Sequence, residues 1–208
     1  AGRWYPSATE IALEHDIPVG CVDINAPRVV EAFQREPVDL IVVAYYDQIL
    51  QKPVIEAPHL GCINLHLALP EDYRGCYPTT HALINNEPRH GACIHWIDEG
   101  VDTGDIIAQE TINVRPEDTG RTLYDRISDA GIRLFWDTFP AILDGTANRT
   151  PQVTTENTKS HRREFPSHEI ELDDATKHYI RALTFPPFPP PFVMIGGKKF
   201  VIVEADSD

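Results

Sequence analysis

The chain has 208 residues and is 42% hydrophobic, enough apolar material for one good-sized core and at most a small appendage. Its 18 Lys and Arg are outnumbered by 32 Asp and Glu, and a net charge of −14 argues against a broad nucleic-acid surface, whose affinity comes from cationic contacts to phosphates. One local basic pocket for a single diphosphate is still allowed.

No apolar run nears the roughly 18 residues of a membrane-spanning helix, and no charged-then-apolar leader opens the sequence. Cys21, Cys62, Cys76 and Cys93 show no CxxC spacing, and three of them sit in apolar, strand-like contexts. That pattern suits reduced, buried thiols and a cytoplasmic location. The nine histidines contain no pair at a recognised zinc spacing, so no metal is expected.

In chain order, residues 8–15 predict a helix that Ser7 or Thr9 caps. Pro18 to Val22 reads as a short strand, and Ala26 to Arg35 as an amphipathic helix with Val29, Val30 and Phe33 on one face. Val38 to Ala44 is a near-continuous β-branched run, expected of a strand buried on both faces of a parallel sheet. Lys52 to Glu56 makes a short helix ended by Pro58. Gly61-Cys62-Ile63 then leads, in extended chain, to Asn64 and His66, whose side chains share a face because alternate residues do.

Leu67 to Tyr77 is expected to be an eleven-residue loop, long enough to be functional or mobile. Pro78 fits the first position of a helix through Asn85, on which His81 reads as a surface residue. Gly91 to Ile97 and Asp105 to Val114 are strands flanking the acidic stretch Asp98-Glu99-Gly100-Val101-Asp102. Arg121 to Leu143 carries apolar residues at helical spacing and is the longest helix, with Pro140 near its end. Gly145 to Ser167 is a polar connector. Asp173 or Asp174 caps a helix to Leu183, and Val193–Ile195 with Phe200–Val203 form a hairpin around Gly196-Gly197.

Asn, His and Asp carried by neighbouring strand ends supply an amide donor, a base and a carboxylate to orient it. Each feature alone also fits a core histidine or a solvated turn. Together the residues form an ordered pattern: Asn64-Leu65-His66, then Leu69-Pro70 with Tyr73-Arg74-Gly75, then Ile94-His95, then Asp102-Thr103-Gly104-Asp105-Ile106. This pattern resembles the catalytic core of the folate-dependent formyltransferases, and a looser match runs from about Ala8 to about Ala205, including Ile180-Arg181-Ala182-Leu183-Thr184 before Phe185 and Pro186. Pro70 stands one place early relative to the family pattern, and Pro190-Pro191-Phe192 replaces a usual Pro-Gly-Ala.

The resemblance implies an α/β fold: a mostly parallel Rossmann-like sheet with helices on both faces, and a small C-terminal β-hairpin appendage. Residues 1–145 would form the catalytic domain, and 146–208 a connector, helix and small β subdomain. Relatives open with a further βαβ unit, so a segment is expected to be missing at the start.

The resemblance also implies catalytic roles for Asn64, His66 and Asp102. N10-formyltetrahydrofolate is the implied formyl donor, lined by Gln48, Ile49 and Leu50 on one side and by Asp98, Glu99, Gly100 and Val101 on the other, mainly through backbone groups. Arg74, Cys76 and Tyr77 are the candidate acceptor-binding residues, and Phe185 and Phe188 are candidate aromatic faces for a base, with core packing the expected fate of at least one. The implied acceptor is a nucleotide-diphosphate-linked amino sugar, as in O-antigen or surface-glycan biosynthesis, and a homodimer is the candidate assembly. The alternatives are a methionyl-tRNA formyltransferase and a non-catalytic folate-binding relative.

Overall fold

A computed structural model describes residues 5–161 and 163–203. The strands are β1 (Leu40–Ala44), β2 (Gly61–His66), β3 (Tyr73–Gly75), β4 (Arg89–Trp96), β5 (Ile106–Asn113), β6 (Lys159–His161), β7 (Phe192–Ile195) and β8 (Lys198–Val201). The helices are α1 (Ala8–Glu14), α2 (Pro27–Arg35), α3 (Lys52–Ile55), α4 (Pro78–Ile84), α5 (Gly120–Leu143) and α6 (Thr176–Leu183). No helix among the described residues is long and apolar enough to cross a membrane.

The central sheet has the order β1-β2-β4-β5. β1 and β2 run parallel, joined by a crossover through α3, as parallel neighbours require. β4 runs antiparallel to both β2 and β5, so the parallel character expected of the sheet resides at its β1–β2 end.

The pleat sorts the side chains. Ile63 and Leu65 of β2, with Ala92, Ile94 and Trp96 of β4, face the long helix α5 and pack with its Leu123, Ile127 and Ile142. Cys62 of β2, with Ile41 and Val43 of β1, faces α2 and α3 and packs with Phe33 and Val54. Helices therefore cover both faces, and the α/β class with its terminal hairpin β7–β8 is as the sequence implied.

α5 is capped by Thr119, whose side chain accepts from Thr122 N. The helix runs through Pro140, which lies in its last turn. α6 docks beside its start, where a Cβ on Gly120 would collide with the carbonyl oxygen of Ala182. The buried Asp118 carboxylate, 2.6 Å from Arg126 Nη1, and the Arg181 guanidinium on the Asp118 carbonyl tie this corner together.

Several local expectations change. Pro18 to Val22 forms no strand: it has no ladder partner among the described residues, and Val19 and Val22 stay exposed. Among the described residues β1 is an edge strand and is not buried on both faces: Leu40 packs on the α5 side and Ile41 and Val43 on the other, but Val42 is 45% exposed. The Leu67–Tyr77 loop is largely buried and contains β3, which pairs in parallel with β6 from the supposed connector. A strand that short is invisible to periodicity and exists only because a distant segment completes its ladder.

His81 is not a free surface residue: its ring stacks on His161 at 3.5 Å between centroids. Cys62 and Cys93 are buried, and burial pushes the Cys62 thiol up to about 11, but Cys21 is exposed. All four cysteines are free.

Candidate active site

The site grows from the pleat of β2. Asn64 and His66 emerge on the face opposite α5, and the register sets His95 of β4 across from Asn64. The β4–β5 loop then folds back over this face. Within it Asp98 Oδ1 accepts from Gly100 N at 3.0 Å and Thr103 Oγ1 at 2.6 Å, so its carboxylate is spent on shaping the loop. Gly104 must lack a side chain, since a Cβ there would collide with the Trp96 carbonyl. The tight return leaves Asp102 in the left-handed region, at φ 50°, with its carboxylate turned inward.

Two donors and two imidazole nitrogens converge on that carboxylate. Oδ1 accepts from Asn64 Nδ2 at 3.1 Å and lies 3.4 Å from His95 Nε2. Oδ2 accepts from the backbone N–H of Gly75 at 2.8 Å and lies 3.7 Å from His66 Nδ1. Burial pushes the Asp102 carboxyl up, but the adjacent imidazoles of His95 and His66 and the Gly75 N–H outweigh it and hold the group well below the usual carboxylate range.

The second nitrogen of each imidazole is already assigned by a carbonyl. His66 Nε2 is 3.1 Å from the Tyr73 carbonyl, an acceptor only, so Nε2 carries the hydrogen and Nδ1 is left as the basic atom facing Asp102. His95 Nδ1 likewise donates to the Trp96 carbonyl at 2.7 Å. In the neutral ring its Nε2 then accepts from Asn64 Nδ2, 3.3 Å away. Burial pushes the His66 pKa down, and Asp102 partly offsets this. The depressed pKa favours a neutral ring, able to take a proton.

The three residues expected to be catalytic are thus brought together, and the structure adds a fourth, His95. The sequence contained its signal, an Ile-His pair on a strand. A strand residue's role depends on its register against a neighbour, and that register was not legible.

Arg74 lies in the wall of the site, 6% exposed, with Nη2 donating to Gln152 Oε1 at 2.8 Å and Nε buried without a partner. Its charge contributes to lowering His66. Cys76 follows, half-buried, its N–H donating to the His161 carbonyl at 2.9 Å. Tyr77 does not join Arg74: its ring is exposed and packs edge-on against Phe165, 4.9 Å between centroids. Phe185 packs against Tyr124 of α5, on the other face of the sheet, with Phe188 beside it, so neither faces the Asn64–His66 side.

The two segments expected to line the donor lie side by side. Leu50 is buried in the same cluster as Ile97, and Lys52 reaches across to Glu99 at 3.3 Å. The Ile49 carbonyl accepts from Asn25 Nδ2 at 3.0 Å, whose Oδ1 in turn accepts from Gln51 N at 2.8 Å, which fixes this turn. Ile49 itself is 65% exposed and Val101 is also exposed, an open apolar lip on either side of the strand ends. Gln48 is exposed and accepts from the Tyr46 hydroxyl at 3.0 Å. No group of three or more His, Cys, Asp or Glu among the described residues is arranged to hold a metal ion.

At the strand ends of an α/β sheet, an amide, two imidazoles and one largely buried carboxylate thus meet. The chain belongs to the formyl transferase family, whose model matches residues 22–139, more than half of its length. It is 36% identical over 208 residues to the methionyl-tRNA formyltransferase of Agathobacter rectalis, covering 97% of this chain and 66% of that protein. A second relative, the methionyl-tRNA formyltransferase of Methylacidiphilum infernorum, is 38% identical over 197 residues, 92% of this chain and 61% of its own length. The chain therefore spans about two thirds or less of these relatives.

Among solved structures, the fold is similar to that of a 4-N formyltransferase from Francisella tularensis (TM-score 0.78, 24% identity, 96% of this chain and 84% of that one). It also resembles a formyltransferase from Anoxybacillus kamchatkensis in complex with UDP-4,6-dideoxy-4-formamido-L-AltNAc and tetrahydrofolate (TM-score 0.61, 26% identity, 76% of this chain and 82% of that one).

Proposed function

We propose that the protein transfers a formyl group from N10-formyltetrahydrofolate to the amine of a nucleotide-diphosphate-linked amino sugar. The observation that carries the reading is the convergence of Asn64, His66 and His95 on the Asp102 carboxylate, within 3.1 to 3.7 Å, at the end of β2. Family membership supplies the reaction class. The complex of the Anoxybacillus relative with a formamido sugar nucleotide and tetrahydrofolate supports the two ligands.

The residues fit the donor. Two fixed turns, 48–50 and 98–101, offer backbone groups and exposed apolar side chains, while the carboxylate of Asp98 is turned into its own loop and away from a ligand. When bound, the donor supplies the formyl group. His66 Nδ1 takes the proton of the attacking amine and passes it toward the departing nitrogen, work worth roughly 10²–10⁴-fold. Asp102 orients the ring and stabilises its charged form. Asn64 donates an amide N–H to the formyl oxygen as negative charge grows there, a contribution of about 3–4 kcal/mol for donors of this kind. Both Asn64 hydrogens are engaged by Asp102 and His95, so one must be released or shared as the oxyanion forms. Arg74 meets the acceptor's diphosphate.

A second reading is favoured by the sequence relatives, which are named methionyl-tRNA formyltransferases. The net charge of −14 weighs against it, because a tRNA acceptor needs several cationic phosphate contacts. A mass-detected screen of dTDP-, GDP- and UDP-amino sugars and methionyl-tRNA with N10-formyltetrahydrofolate separates the two. The expected result is addition of one formyl group to an amino sugar. Formylation of methionyl-tRNA at a rate matching the best sugar overturns the acceptor.

A further inference from the structure

Gln152, on the chain between α5 and β6, spans two walls of the site. Its Oε1 accepts from Arg74 Nη2 at 2.8 Å and its Nε2 donates to the Gly104 carbonyl at 2.6 Å. The first wall is β3, where Arg74 immediately precedes the Gly75 N–H that holds Asp102. The second is the loop that carries Asp102, two residues before Gly104.

Arg74 is nearly fully buried, its Nε has no hydrogen-bond partner, and among the described residues no carboxylate forms an ion pair with it. Buried arginines are ordinarily neutralised, because an unpaired charge out of water is costly. Here a full guanidinium charge is held beside the site by a neutral amide. A carboxylate at 152 would reach Arg74 equally well but would cancel its charge, and it would set an oxygen against the Gly104 carbonyl. A hydrocarbon side chain would hold neither wall. Among side chains of this length, only an amide satisfies both contacts and leaves the charge available.

We propose that Gln152 is a positioning residue for acceptor binding: it aims Arg74 as an un-neutralised anion receptor and pins that receptor to the Asp102 loop. The inference rests on the reading of Arg74 as the group that meets the acceptor's diphosphate, and extends that reading to what keeps the charge available.

The test pairs calorimetric titration of the full chain with inorganic pyrophosphate and steady-state kinetics on the best amino sugar. Gln152→Glu should weaken pyrophosphate binding about tenfold or more, the scale of one charge-assisted hydrogen bond. The amino-sugar KM should rise by a similar factor, with the donor KM and the unfolding midpoint little changed. On an Arg74→Met background the same substitution should have no further effect on pyrophosphate.

Gln152→Met, neutral and of similar length, keeps a readout if the glutamate variant does not fold: loss of aim alone should weaken pyrophosphate binding, though less than added charge does. Three results overturn the inference. These are a wild-type protein that does not bind pyrophosphate, a Gln152 variant that binds it unchanged, and equal weakening with and without Arg74. Failure of every amino sugar as acceptor, with the pyrophosphate pattern intact, would remove the proposed acceptor and leave Gln152 in its role.

Discussion

The two faces of β2 and β4 differ by one residue of offset and by everything in chemistry. Ile63, Leu65, Ala92 and Ile94 point at α5 and are held by burial alone. Asn64, His66, Cys93 and His95 point the other way, where His66 and His95 are also buried but each ring nitrogen has a partner or faces Asp102. Apolar burial is non-directional and tolerates repacking, whereas a buried polar group is stabilised only in a particular geometry. One face therefore supplies stability, and the other, built on it, supplies a rigid reactive arrangement.

The comparison breaks most sharply at His66. On the proposed mechanism, His66→Ala should lower turnover by about 10²–10⁴-fold with the fold retained. Turnover within a few-fold of wild type, with the donor still bound, would take His66 out of the reaction. One register position away, on the opposite face, Ile94→Ala should do the reverse. Ile94 is fully buried among Ile63, Trp96, Ile107 and Ile142, so its truncation should cost about 2–5 kcal/mol in denaturant unfolding. Turnover measured where the variant is still folded should stay within a few-fold. A large loss of turnover there would mean that the two faces are not separable.

A smaller effect should appear with pH. Burial pushes His66 and His161 down, His81 to about 4 and His90 to about 3. The unfolded chain takes up protons near the ordinary value of about 6.5 that these native rings refuse. Stability contributed by the neutral rings should thus be complete above that value and decline as pH falls toward 4, with His90 alone approaching a slope of about 1.4 kcal/mol per pH unit. Asp72, raised by burial, works in the opposite sense, but nearer the carboxylate range. A melting temperature flat from pH 7 to 4.5 would contradict the buried neutral histidines.

The smallest effect should come from the Lys52–Glu99 pair, which is exposed at both ends. Lys52→Ala should leave the melting temperature unchanged within error, because solvent screens such a pair. A clear drop in donor affinity in that variant would show that the side chain, and not only the backbone of the two turns, meets the donor.

The sequence alone carried the helices, the alternation of β2 and β4, the hairpin and the residues Asn64, His66 and Asp102. The elements follow from local rules, a 3.6-residue or two-residue period or a cap, and the three residues from an ordered motif that resembles a known family. Tertiary structure decided what depends on a distant neighbour. β3 exists because β6 completes its ladder, and His95 joins the site because the register sets it opposite Asn64. Arg74 sits beside Gln152, and Tyr77 beside Phe165, by the same kind of long-range closure. Period and propensity constrain a residue against its own segment. They carry no information about which segment, many residues away, will lie against it, and that meeting fixed the electrostatics of the site.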